Sequence, residues 1–346
     1  MAKKNDVKFN YAECLGKLRK DGAGRLYLIW GAEDYLSEQL FSEIKKLCLG
    51  DNDDDFSYRK LSERDFSAVS LSEAIDSVPF LSDKTLVEVR NVDLNRVQDS
   101  DSVLKAITDI PDYCTVVFIN DPTFEPDKRL KLIKTILKDG EEIHTTAQSG
   151  NALINWIVRR FGAGGKRIEL SAAQRLITVS GDLMNRLIPE IDKLIAYTKG
   201  DTVTVSDVNS VAHHIPDAVV FDMTERIALG DYNAAITLLG ELLSDKNNEP
   251  IALLAALGNQ MRRLYVARVA IDSGKGADYL MRVCAIKHDF IAGKLMASAR
   301  KLTTAQTARA VELCTETDYR MKSSGEEPAQ LLKECVLRIA AGEENA

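Results

Sequence analysis

No stretch of this 346-residue sequence approaches the roughly 18 consecutive apolar residues that a membrane helix needs. The opening Met1-Ala-Lys-Lys-Asn-Asp6 also lacks the apolar centre of a signal peptide. These two absences give the expectation of a cytoplasmic protein with no membrane partner. The six cysteines, Cys14, Cys48, Cys114, Cys284, Cys314 and Cys335, lie scattered along the chain, most of them flanked by helical apolar residues, the pattern of reduced, packed thiols rather than of a disulfide framework. Internal repeats and low-complexity tracts are missing. The one charge run, Asp51-Asn-Asp-Asp-Asp55, reads as a solvated loop. Neither sign of charge is in large excess: 45 Lys plus Arg against 52 Asp plus Glu give −7, which provides little non-specific attraction to DNA. With 45% hydrophobic and 28% charged residues the composition is globular, which excludes disorder, and the length suits two or three domains.

What is present divides into two kinds of pattern. In the first 145 or so residues, Leu26-Tyr-Leu-Ile-Trp30, Thr85-Leu-Val-Glu-Val89 and Cys114-Thr-Val-Val-Phe-Ile119 are short β-branched or aromatic runs that predict strands. Leu36, Leu40, Ile44 and Leu47 recur at helical spacing after the first, and Leu130, Ile133, Ile136 and Leu137 after the last. Alternation of strand and helix predicts an α/β module, a mostly parallel sheet flanked by helices. Past Gly150 the strand signal nearly disappears. Ala152, Leu153, Trp156 and Ile157, then Leu187, Ile191, Leu194 and Ile195, make helical stripes, with Ser171 and Asp182 as candidate caps. Ile215-Pro216-Asp217 reads as a linker, placing a boundary near 212–217. Beyond it Ala235, Leu238, Leu239 and Leu242 share a face, Pro250 and Pro328 suit first helical positions, and Thr303-x-x-Gln306 fits a capping box, so an all-α bundle follows.

The first strand runs into Gly31-Ala-Glu-Asp-Tyr-Leu-Ser-Glu38 and a helix, where an α/β nucleotide-binding domain carries its phosphate loop. Such a loop needs a second glycine, a lysine for the phosphates and a Ser or Thr for magnesium. Aligned on Gly31, those places hold Leu36, Ser37 and Glu38, and Glu33 and Asp34 add negative charge at the helix start. The expectation is a degenerate loop that does not hydrolyse ATP, or simply a strand-to-helix turn with Asp34 near the N-cap. At the end of the second strand, Arg90-Asn91 stands where an ATPase of this class has an Asp-Glu pair. No cofactor, metal or catalytic residue is therefore expected. Cys284 and His288, four apart, have no second pair to complete a metal site. His213-His214 reads as linker, and no Gly-x-Ser-x-Gly elbow exists.

Two further features are candidates for binding. Ser77-Val-Pro-Phe-Leu-Ser-Asp-Lys84 sets Pro79, Phe80 and Leu81 in a polar-bounded connection, either tucked under the sheet edge or presented as an apolar anchor to a partner. Arg262, Arg263 and Arg268 on one long helix, and Lys322 in Tyr319-Arg-Met-Lys322, are weak candidates for contact with DNA.

Leu28-Ile-Trp-Gly-Ala-Glu-Asp-Tyr-Leu36, Pro79-Phe-Leu-Ser-Asp-Lys-Thr-Leu-Val87, Leu187-Ile-Pro-Glu-Ile-Asp-Lys-Leu194 and Asp318-Tyr-Arg-Met-Lys-Ser-Ser-Gly325 resemble, in order and spacing, the delta subunits of bacterial DNA polymerase III. The resemblance implies an AAA+-like module without ATPase function over residues 1–147, a small helical lid over 148–214 and a helical collar over 215–346. It implies a clamp-loader subunit that binds the ring-shaped sliding clamp (the beta subunit) through Pro79, Phe80 and Leu81 and lets the ring open for loading onto primed DNA. It also implies assembly with gamma/tau and delta prime subunits through the collar, around primer-template DNA. Pro79 replaces the larger aliphatic residue that other members can carry, which makes Phe80 the main anchor. An active AAA+ ATPase and a DNA-binding adaptor are the competing readings. Glu190 and Lys193 are expected to fix helix geometry as an exposed pair.

Overall fold

The computed structural model describes residues 11–50, 56–80, 82–148 and 150–342. The chain forms two compact units, one of Met1–Ala147 with Leu183–Asn185 and the other of Gln148–Asp182 with Arg186–Ala346.

The first unit runs α1 (Tyr11–Asp21), β1 (Leu26–Gly31), α2 (Asp34–Leu49), β2 (Tyr58–Ser62), α3 (Ala68–Ile75), β3 (Thr85–Arg90), α4 (Ser100–Thr108), β4 (Cys114–Asn120), α5 (Lys131–Asp139) and β5 (Glu141–Thr145). All five strands are parallel, in the order β2-β3-β4-β1-β5. Side chains alternate across a strand, so Leu26 and Leu28 join Val87, Val116 and Phe118 against α3, α4 and α5. On the opposite face Tyr27 and Ile29 join Leu86, Val117 and Ile119 against α2. Burial on both faces is why the three inner strands are nearly continuous apolar runs. The outer strands β2 and β5, Tyr-Arg-Lys-Leu-Ser and Glu-Glu-Ile-His-Thr, are polar, as suits sheet edges. Leu47, expected on the α2 stripe, is exposed; Phe41 and Cys48 pack inward instead.

The second unit opens with α6 (Asn151–Ala163), β6 (Arg167–Ile168) and α7 (Leu170–Ser180), followed by α8 (Met184–Tyr197), whose first turn belongs to the first unit. It continues through β7 (Thr202–Val203) and α9 (Val205–Val211); β6 and β7 pair in a two-residue parallel ladder. Seven helices follow, α10 (Pro216–Ala228), α11 (Tyr232–Ser244), α12 (Pro250–Asp272), α13 (Ala277–Val283), α14 (Asp289–Ala299), α15 (Thr304–Ser323) and α16 (Pro328–Ala341). They share one core around Leu253, Leu257, Met261, Leu313 and Val336. Ile215-Pro216-Asp217 is not a free linker: Ile215 is the N-cap of α10 and Pro216 its first residue, where a missing N–H costs nothing. Half-buried Arg175 of α7 forks onto Asp222 of α10 at 2.8 and 2.6 Å. Ser171 lies inside α7 rather than capping it, and Asp182 pairs with Lys287 at 2.8 Å.

Candidate functional site

β1 ends at Gly31, opposite Thr145 of β5. Gly31 has φ +133°, and a Cβ there would stand 2.2 Å from the Thr145 carbonyl oxygen, so the close approach of two strands demands this glycine without any phosphate. The next turn is closed by its own side chains. Glu33, the N-cap of α2, is fully buried; its backbone N–H donates to the Thr145 carbonyl, and its carboxylate accepts the Met184 N–H, 3.2 Å from each oxygen. That N–H is one of the unpaired donors at the start of α8, a place that favours an anion. Glu33 thus fills the role expected of Asp182. Leu36 is buried, and the buried Ser37 hydroxyl lies 2.9 Å from that of Thr145.

Glu38 is held from the sheet. The Arg90 guanidinium forks onto its carboxylate, with Nη2 2.9 Å from Oε2, and its Nε donates to Glu88, which is buried in the middle of β3 and also accepts the Tyr58 hydroxyl. Glu38, then Glu88, raise the Arg90 pKa against the opposing effect of burial; burial and Glu88 raise that of Tyr58. Asn91 follows with φ +54°, a left-handed turn that asparagine tolerates. Burial, with Glu38 and Asp121, raises the Asp34 carboxyl above the ordinary range. Where a phosphate loop presents N–H groups and a lysine, this connection gathers carboxylates and engages them internally.

The connection between α3 and β3 has the opposite character. Phe80 is 77% exposed, Val78 is exposed and Pro79 is half-buried; Leu81 lies outside the described residues. Phe80 is not tucked under the sheet edge. Its N–H reaches the Ser57 hydroxyl at 3.5 Å, and its ring meets that of Phe56, itself 69% exposed, with centroids 6.5 Å apart and planes tilted by 56°.

The basic candidates sit on the helices of the second unit. Arg262 and Arg263 are exposed on α12, Arg262 donating to Asn259; Arg268 pairs with Asp272, and Lys322 with Asp318 at 2.7 Å on α15. Cys284 and His288 do not share a helix, because the first caps the end of α13 and the second the start of α14. Among the described residues no group of three or more His, Cys, Asp or Glu is arranged to hold a metal ion. His213-His214 lies in a non-helical segment, where the His213 N–H donates to Glu190 at 2.9 Å. Glu190 also pairs with Lys193 at 2.7 Å; it is buried rather than exposed, so it ties α8 to the chain after α9.

A model of the DNA polymerase III delta subunit matches residues 27–146, and one of the C-terminal domain of that subunit matches residues 217–339. The chain belongs to the DNA polymerase III delta subunit family. It is 24% identical over 332 residues to DNA polymerase III subunit delta of Bacillus subtilis, covering 92% of this chain and 94% of that protein. It is 22% identical over 275 residues to a probable DNA polymerase III subunit delta of Aquifex aeolicus, covering 77% of each. The solved Bacillus subtilis DNA clamp loader delta protein shares the fold, with TM-score 0.56 and 19% identity, covering 96% of this chain and all of that one. In this member of the family, the first matched segment contains both the closed β1–α2 connection and the open connection carrying Phe80.

Three residues around these two connections have roles that the sequence does not announce. Glu88 lies inside an apolar run, and of its partners Arg90 is two residues along the same strand while Tyr58 stands on β2; Glu33 reads only as extra charge; Phe56 follows the acidic run directly. For Phe56 the available signal was a lone phenylalanine between polar neighbours.

Proposed function

We propose that this chain is the clamp-binding, ring-opening subunit of a replicative clamp loader, docking on the beta sliding clamp through Pro79, Phe80 and Leu81. The supporting observation is Phe80, a large apolar side chain 77% exposed in a loop bounded by polar residues, in a chain of the delta-subunit family. Burying Phe80 and Leu81 in a clamp pocket contributes about 1.5–3 kcal/mol each before ordering costs, the scale of an interface hot spot. A closed ring needs only one weakened interface to open.

In this reading the subunit does not hydrolyse ATP. The carboxylates of Glu33 and Glu38, with Leu36 and Ser37 where glycine and lysine are needed, disfavour a nucleotide beside Gly31; gamma/tau siblings bind ATP and make the clamp element available. Residues 1–147 form the AAA+-like module, 148–214 the lid and 215–346 the collar that holds gamma/tau and delta prime in the cytoplasm. Primer-template DNA passes within the assembly, with Arg262, Arg263 and Lys322 giving at most secondary contacts.

The test is binding of the purified chain, and of the reconstituted loader with ATP, to the sliding clamp of the same organism. Wild type is compared with Phe80→Ala/Leu81→Ala, with circular dichroism as the check on folding. Binding that vanishes in a folded double variant supports the role; a double variant that binds like wild type, or specific ATP turnover by the purified chain, overturns it.

A further inference from the structure

Phenylalanine is normally a core residue, yet Phe56 and Phe80 are 69% and 77% exposed while their rings touch. A centroid separation of 6.5 Å at a 56° tilt is a tilted aromatic contact, within the roughly 4.5–7 Å range such pairs prefer. The two rings are held differently. Phe56 precedes Ser57, which is fully buried, accepts the Leu86 N–H on its carbonyl at 2.8 Å and so fixes this end of the pair to β3. Phe80 stands on the α3–β3 connection, and its N–H reaches back to the Ser57 hydroxyl at 3.5 Å. One ring is mounted on the sheet and the other leans on it.

Resting on the clamp-docking reading above, we infer that Phe56 is a second ring of that surface, a positioning residue that presets Phe80 and enters the same apolar cleft of the sliding clamp. Two rings in contact leave no slot between them for a partner side chain. They form one broad wedge, and the cleft that receives it is wide enough for two rings. Presetting Phe80 before docking reduces the ordering cost of association.

The experiment measures affinity of the reconstituted loader with ATP for the sliding clamp, using wild type, Phe56→Ala, Phe56→Tyr, Phe80→Ala and the Phe56→Ala/Phe80→Ala double variant. Phe56→Ala is expected to weaken binding by roughly 3- to 10-fold, the worth of one preset side chain, with an unchanged thermal midpoint. Phe56→Tyr keeps the ring and is expected to restore affinity to within about twofold. The double variant is expected to lose less than the product of the two single losses. Phe56→Ala that binds like wild type, or single losses that multiply in full, overturns this inference while a weakened Phe80→Ala leaves the docking reading standing. Absence of wild-type binding, or Phe80→Ala that binds like wild type, overturns both. In the free, phenylalanine-labelled chain a Phe56–Phe80 ring NOE is expected, and its absence overturns the presetting.

Discussion

The β1–α2 connection and the α3–β3 connection belong to the same sheet and treat their side chains in opposite ways. At the first, carboxylates and hydroxyls are drawn inward and engaged: Glu33 on Met184, Ser37 on Thr145, Glu38 on Arg90. At the second, the apolar groups point out: Val78, Phe80 and the neighbouring Phe56. A chemist searching for activity goes to the first place and finds polar groups spent on holding the fold. The second offers no reactive group, only apolar area, which is what a binding surface requires.

The sharpest way to break the contrast is at Arg90. Arg90→Ala leaves the buried Glu88 carboxylate without its cation and is expected to cost about 3–5 kcal/mol of stability, read from urea unfolding; a loss under about 1 kcal/mol would mean that the network is dispensable. Phe80→Ala is its mirror image. It is expected to weaken clamp binding by about 1.5–3 kcal/mol while leaving the urea midpoint in place, and a large shift of that midpoint would show Phe80 to be a core residue. Glu33→Ala strands the Met184 N–H and is expected to cost about 1–3 kcal/mol, again by urea unfolding, with clamp affinity unchanged.

The smallest effect concerns Asp34 and pH. Its folded pKa is raised by burial, then by Glu38 and Asp121, so whatever it contributes to stability is fully present below the unfolded carboxylate value and lost as pH rises through the folded one. Asp34→Asn is therefore expected to be slightly more stable than wild type at pH 7 and equal to it below about pH 3.5. Parallel unfolding curves at the two pH values decide it, and a destabilised variant at pH 7 would reverse the sign.

How far the sequence could be read depends on how one-sided each segment's environment is. β1, β3 and β4 are buried on both faces and announce themselves as apolar runs. β2 and β5, at the sheet edges, carry Arg59, Lys60, Glu141 and Glu142 and have no such signature, so they were legible only in three dimensions. The helices of the second unit were legible from caps and stripes, such as Thr303 with Gln306 and Pro250 at a first position. Sequence and structure part where a polar side chain serves a distant element: Asp182 reads as a cap but pairs with Lys287, and the N–H of Met184 is met by Glu33 from far along the chain, whereas Ser171 bonds only locally, to Glu169. At the candidate site the Phe80 loop was legible as two alternatives, tucked or presented, and only the fold chooses between them. Phe56 was not, because its significance is a contact with a separate segment.

The chain Glu38–Arg90–Glu88–Tyr58 makes this corner of the protein hard to repurpose. An engineer who writes lysine and threonine at positions 37 and 38 to install a phosphate loop would insert an ammonium beside Thr145 and release one side of Arg90. Glu33 would still occupy the mouth of α8, and Gly31 would still be pinned against β5. Each single step lowers stability before any step gains a ligand. The contacts that close this connection therefore resist its rewriting through the fold itself, whatever the connection binds.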